Sequence, residues 1–139
     1  MRTVISYAPE ETEALGAKLA STLPAGTVVA LYGDLGMGKT AFVRGMAQVL
    51  APTAQVSSPT FALVNEYGPR LVHFDMYRIT GWDDLYGTGF FDYIESGAVT
   101  AVEWSENIEA ALPDKTVRVR FAREGEQIRR ITIEGEETL

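Results

Sequence analysis

The chain contains no cysteine, which excludes disulfides and cysteine-based metal sites and fits a reducing compartment. It has no apolar run near the ~20 residues that a membrane span needs. Its first residues, MRTVISYAPEE, form neither a secretory apolar core nor an Arg- and Ser-rich transit pattern. A cytoplasmic protein without membrane contact is therefore expected. Basic charge is scarce as well, with 12 Lys and Arg against 19 Asp and Glu and a net charge of −7. The average field repels free nucleic acid and argues against an autonomous nucleic-acid binder. One stretch departs from this balance: Lys115, Arg118, Arg120, Arg123, Arg129 and Arg130 face only Glu124 and Glu126. It reads as a solvated hairpin face, a docking surface or a wall of a ligand site. The 139 residues show no repeat, linker or low-complexity tract, so residues 1–139 are expected to form a single domain with a proper core.

What is present centres on Val28 to Thr40, VVALYGDLGMGKT. Val28 to Tyr32 is apolar and partly β-branched, as in a buried strand. Gly33 to Thr40 then matches a phosphate loop: Gly, four residues, Gly-Lys-Thr. Ala41 to Leu50 follows with helix formers. Strand before and helix after is the context that separates such a loop from a chance glycine-rich turn. The residue types suit the chemistry. Gly33, Gly36 and Gly38 let backbone N–H groups approach phosphate closely. A helix starting near Lys39 turns its free N–H groups and positive end toward the same anion. Lys39 reaches the β- and γ-phosphates, and the Thr40 hydroxyl can ligate Mg2+. The loop set is thus Gly33, Leu35, Gly36, Met37, Gly38, Lys39, Thr40 and Ala41.

The remaining chain reads as α/β. A strand over Arg2–Ser6 and a helix from Pro9 to about Ser21 precede the loop. Thr60–Tyr67 and Leu71–Tyr77 read as strands joined by three residues, too few for a parallel crossover, so they form an antiparallel hairpin. Short helices are expected over Asp83–Tyr86, Phe90–Ile94 and Glu106–Leu112, with a buried strand over Ala98–Trp104. Thr116–Ala122 and Gln127–Glu134 form a second hairpin, and Gly135–Leu139 frays.

Turnover of a bound triphosphate also needs Mg2+ and a positioned nucleophile. Two apolar strands end in an acid: Leu71 to Asp75 (LVHFD) and Ala98 to Glu103 (AVTAVE). Both acids fall at the carboxyl edge of the sheet, where the phosphate loop of an open α/β fold also lies. Glu103 follows the more uniformly apolar strand and is favoured for the metal, with Asp75 orienting water or completing the metal shell. Lys39, Asp75 and Glu103 form the catalytic set; Thr40, Glu103 and Asp75 form the metal set. Thr60, after the loop helix, is a candidate sensor of the γ-phosphate. His73, the only histidine, is read as a structural hydrogen-bonding group on the strand face of Asp75.

The ordered set GDLGMGKT, SSPTF, HFDMYR and VEWSE resembles the bacterial TsaE (YjeE-like) ATPases, from YAPEET to the final hairpin. The resemblance implies a small P-loop NTPase-like three-layer fold, its mixed sheet having a parallel core and antiparallel hairpins. It implies ATP and Mg2+ as ligands, with Glu103 on the metal and Asp75 supporting metal or water. It implies Thr60 as a switch threonine, Trp104 beside the switch, and Glu11 or Thr12 near the base. The implied function is ATP hydrolysis that supports threonylcarbamoylation of an adenosine in the tRNA anticodon loop, with TsaB and TsaD as partners and only indirect contact with tRNA. The transfer itself is not assigned to this family. Asp83-Asp84-Leu85 stands where the family tends to have Glu-Glu-Leu, and Phe90 and Phe91 are bulky for the Gly-containing segment that follows. A small-molecule kinase and a nucleotide-gated assembly module remain the alternatives.

Overall fold

The computed structural model describes residues 1–34, 36–57 and 63–138. The elements run β1 (Arg2–Ser6), α1 (Pro9–Ala20), β2 (Val28–Tyr32), α2 (Lys39–Leu50), β3 (Val64–Gly68), β4 (Leu71–Asp75), α3 (Trp82–Tyr86), α4 (Phe90–Glu95) and β5 (Val99–Glu103). A 3-10 segment (Ser105–Ala111), β6 (Val117–Arg123), β7 (Arg129–Glu134) and a final 3-10 turn (Glu136–Thr138) complete the chain. The strands form one sheet in the order β1-β7-β6-β2-β5-β4-β3. Its core is parallel, β2 pairing with both β5 and β6, and β5 with β4. Both edges are antiparallel: β3 on β4 at one side, β6–β7–β1 at the other.

Parallel strands are covered on both faces, and β4 and β5 are buried along their whole lengths. One face carries Val29, Leu31, Leu71, Ala101, Val119 and Ile131, packed under Leu15 and Leu19 of α1 and Phe42 and Met46 of α2. The opposite face sets Val28, Val72, Phe74 and Val102 against Leu85, Phe90 and Ile108. Phe90 is fully buried, with its ring edge-on to Phe74 at 5.7 Å, so its bulk belongs to the core. Among the described residues, no helix is long and apolar enough to cross a membrane.

Several boundaries differ from the sequence expectation, each for a local reason. Leu63 has φ 67°, which breaks extended geometry before β3, and residues 60–62 of the expected strand lie outside the described residues. The Asp75 carboxylate accepts the Tyr77 N–H at 2.8 Å, turning the chain at the end of β4 two residues early. Trp104 has φ 58° and ends β5 at Glu103. The helix expected over Glu106–Leu112 is a 3-10 segment broken at Ile108 (φ −127°, ψ 24°). The carboxyl end is not frayed at 136–138, because Glu136 is gripped by Arg2 at 3.0 Å.

Helices α1 and α2 cross so closely that glycine is required on each. A Cβ on Gly45 would lie 1.9 Å from the Glu13 carbonyl oxygen, and one on Gly16 would lie 2.1 Å from that of Phe42. This contact brings the first turn of α1 against the phosphate loop. Alanine in place of a helical glycine gains about 1 kcal/mol of propensity. Overpacking against backbone, which no rotamer change relieves, costs about 1–3 kcal/mol and wins. We expect Gly45→Ala to lower the unfolding free energy by up to about 2 kcal/mol in urea titration; a raised midpoint would contradict the close crossing.

Candidate functional site

The phosphate-type loop leaves β2 at Gly33 and enters α2 at Lys39. Gly38 caps the helix with φ 99°, and Gly36 at the loop crest has φ 79°, conformations that side chains with a Cβ resist. Among the described residues, no side chain caps α2 and no acid lies in its first turn, which leaves N–H groups and the positive helix end facing outward. Thr40 and Ala41 occupy that turn, and Met37 packs on the core beneath the loop. Leu35 and Thr60 lie outside the described residues.

The two strand-end acids are neighbours across the sheet. Register pairs Asp75 directly with Glu103 across β4 and β5, so both carboxylates stand at the carboxyl edge on the α2 side of the sheet. Both are buried. Lys39 joins Glu103: its Nζ donates to the Gly33 carbonyl at 2.6 Å and lies 3.7 Å from Glu103 Oε1, with the Trp104 ring centroid 5.7 Å away. His73 Nε2 is 2.7 Å from Glu103 Oε2. Burial works to raise the Glu103 pKa, but the His73 hydrogen bond and the attraction of His73 and Lys39 outweigh it and hold the carboxyl below the usual range. Glu103 is therefore a carboxylate. Among the described residues, no three His, Cys, Asp or Glu side chains converge into a metal cage. Glu103, Asp75 and the Thr40 hydroxyl are hard oxygen donors of the kind that could hold Mg2+ beside phosphate oxygens.

Beside the loop lies a cavity of about 190 Å³ lined by Ala8, Pro9, Thr12, Gly36, Gly38, Ala41, Gln127 and Arg129. Thr12 is buried and hydrogen-bonded to Ser6 at 2.7 Å, whereas Glu11 is exposed and not among the lining residues. The β6–β7 hairpin thus forms a wall of this cavity. Arg129 Nη2 donates to the Gly36 carbonyl at 3.1 Å, while its Nη1 donates to the carbonyls of Gly125, Glu126 and Ile128. Three other arginines of the region are drawn into ion pairs, Arg118 with Glu109, Arg120 with Glu134 and Arg130 with Glu124, while Arg123 Nε donates to the Gly125 carbonyl at 3.1 Å. At the mouth of the loop, Tyr32 donates to Glu109 at 2.6 Å, and burial, then that bond, pushes its pKa up to about 12.

Sequence reasoning did not single out Gln127 and Arg129 individually, nor Tyr67, which contacts His73. The cluster of arginines near 129 was the only signal for the first pair. The Asn65–His73 register of a hairpin was the available signal for residues around the histidine.

A three-layer α/β sheet with this loop at its carboxyl edge defines a P-loop NTPase-like fold. Comparison with known proteins narrows the class. Residues 6–131 match the family model described as "Threonylcarbamoyl adenosine biosynthesis protein TsaE". The curated TsaE protein of Bacillus subtilis is 39% identical over 127 residues, covering 89% of this chain and 79% of that one. That of Haemophilus influenzae is 36% identical, covering 87% and 83%, and that of Treponema pallidum 33%, covering 93% and 97%. The crystal structure of Bacillus subtilis YdiB superposes with a TM-score of 0.78 at 34% identity, covering 95% of this chain and 83% of that one. The chain belongs to the TsaE family, whose name refers to tRNA threonylcarbamoyladenosine biosynthesis.

Glu103 has a testable acid dependence. Its folded pKa lies below the ordinary value of 4.5, so its stabilisation is present at neutral pH and is lost as pH falls below about 4.5 through the folded pKa. We expect the stability gap between the native chain and Glu103→Gln to narrow over that acid window in urea titrations at stepped pH. A gap that stays constant would contradict a buried, charge-stabilised carboxylate.

Proposed function

We propose that the chain is a Mg2+-dependent ATPase of the cytoplasm. It supports threonylcarbamoylation of an adenosine in the tRNA anticodon loop beside TsaB and TsaD, and does not perform the transfer. The observation that carries this reading is the ionised Glu103 paired with Asp75 and facing Lys39 at the head of α2. The family name supports the tRNA context. The net charge of −7 supports contact with tRNA through partners and not directly.

In this mechanism the backbone of Gly33 to Gly38 and the first turn of α2 wrap the phosphates. Lys39 exchanges its bond with the Gly33 carbonyl for one with a β- or γ-phosphate oxygen. Thr40 and Glu103 would hold Mg2+, with Asp75 orienting the attacking water or completing the shell. The metal supplies charge neutralisation on the phosphate oxygens. Removal of bulk water around Glu103, Asp75 and Lys39 strengthens each electrostatic contact. Thr12, Gln127 and Arg129 flank the nucleoside. Thr60, following the loop helix in sequence, is proposed to sense the γ-phosphate. Intrinsic turnover is expected to be slow, because Arg129, the arginine at the loop, is engaged by four carbonyl oxygens.

ATP binding by calorimetry and phosphate release with and without Mg2+ test the reading. Lys39→Ala is expected to lose ATP binding or turnover. Glu103→Ala is expected to lose Mg2+-dependent turnover by about 100-fold or more while affinity changes less. Full hydrolysis by both variants would sink the mechanism. Stoichiometric phosphorylation of an added acceptor would favour a kinase instead.

A further inference from the structure

A line of hydrogen bonds leads away from the site. His73, with no solvent exposure, uses both ring nitrogens: Nε2 lies 2.7 Å from Glu103 Oε2 and Nδ1 lies 3.2 Å from the Tyr67 hydroxyl. Tyr67 is on the edge strand β3. Its hydroxyl donates to the Ser57 carbonyl at 2.7 Å and accepts the Ser57 N–H at 3.3 Å. Asn65, two residues earlier on the same strand face, donates to both the Ser57 carbonyl and the Tyr67 hydroxyl at 3.4 Å. Two side chains therefore join the Glu103 carboxylate to the backbone of a segment 46 positions away in sequence (103 − 57).

Proton counting fixes the directions of this line. A carboxylate only accepts, so Nε2–H donates to Glu103. Tyr67 has one hydroxyl proton, and the shorter contact gives it to the Ser57 carbonyl, while its oxygen takes the Ser57 N–H. We propose that His73 and Tyr67 are positioning residues that couple the Glu103 carboxylate to the Ser57 backbone. A change in what Glu103 binds alters the pull on Nε2–H and, through the rigid ring, the contact of Nδ1 with the Tyr67 hydroxyl. Coupling is reciprocal, so a contact that fixes Ser57 also alters the hold on Glu103. The coupling is present in the free protein, and only its response to nucleotide rests on the ATPase reading.

Amide hydrogen exchange at Ser57 tests it, first without nucleotide. Glu103→Gln is expected to change Ser57 exchange several-fold, and Tyr67→Phe to accelerate it and remove its sensitivity to Glu103→Gln. His73→Gln, which keeps an amide donor for Glu103 and loses the Nδ1 contact with Tyr67, is expected to remove the sensitivity of Ser57 exchange to Glu103→Gln. A histidine that only fills space would leave that sensitivity in place, and that result overturns the proposal. So does a Ser57 rate that is identical in Glu103→Gln and the native chain. If His73→Gln does not fold, the Glu103→Gln and Tyr67→Phe pair with its double variant decides by itself. A second arm adds a non-hydrolysable ATP analogue with Mg2+, with binding measured separately by calorimetry. Ser57 should respond in the native chain and not in Tyr67→Phe, whose affinity is expected to stay near native; an equal response in both overturns the proposal. Absence of binding by the native chain counts against the ATPase reading, while the nucleotide-free comparison still decides the coupling.

Discussion

Glu103 is the constraint around which the other parts are arranged. A carboxylate removed from water costs several kcal/mol unless charge and hydrogen bonds replace its hydration. Here the replacements come from two other elements: His73 from β4 and Lys39 from the head of α2. None of these side chains is satisfied unless β4 and β5 are in their parallel register and the loop turns as it does. Building the core and assembling the site are therefore one physical problem. Asp75 is carried to the pair by the same register.

The second constraint is proximity of backbone to backbone. Gly16 and Gly45 let α1 and α2 cross at near contact, which sets Thr12 beside Gly38 and closes one side of the cavity. The opposite side is closed by the last hairpin, where Arg129 grips the loop crest through Gly36. Local rigidity at the phosphate loop thus depends on segments that are far apart in the chain. The His73–Tyr67–Ser57 line joins a further distant segment to the carboxylate side of the site.

Much of this was legible in residues. The loop could be read because its glycines, lysine and threonine encode a local backbone shape and a local charge. The strand-end acids could be read because an apolar run ending in a carboxylate marks the edge of a buried strand. The hairpins followed from connections too short for a crossover. Strand ends were less legible. Leu63 and Trp104 take left-handed conformations that no residue preference announces. Phe90 was read through its bulk at a segment where the family tends to be small, yet it fills the core against Phe74. The carboxyl turn is ordered by Arg2, from the other end of the chain.

By itself the sequence determined which groups are on offer: a glycine-rich loop between a strand and a helix, a lysine, a threonine hydroxyl and two strand-end acids, each recognisable from a few adjacent residues. Tertiary structure alone decided which groups meet. The pairing of Asp75 with Glu103, the ionised state of Glu103, its bond to His73 and the reach of Arg129 to Gly36 all depend on register and packing between distant segments. The physical reason is range. Backbone conformation and helix polarity are set over a handful of residues, whereas burial, and the electrostatics that burial magnifies, exist only once the layers have closed.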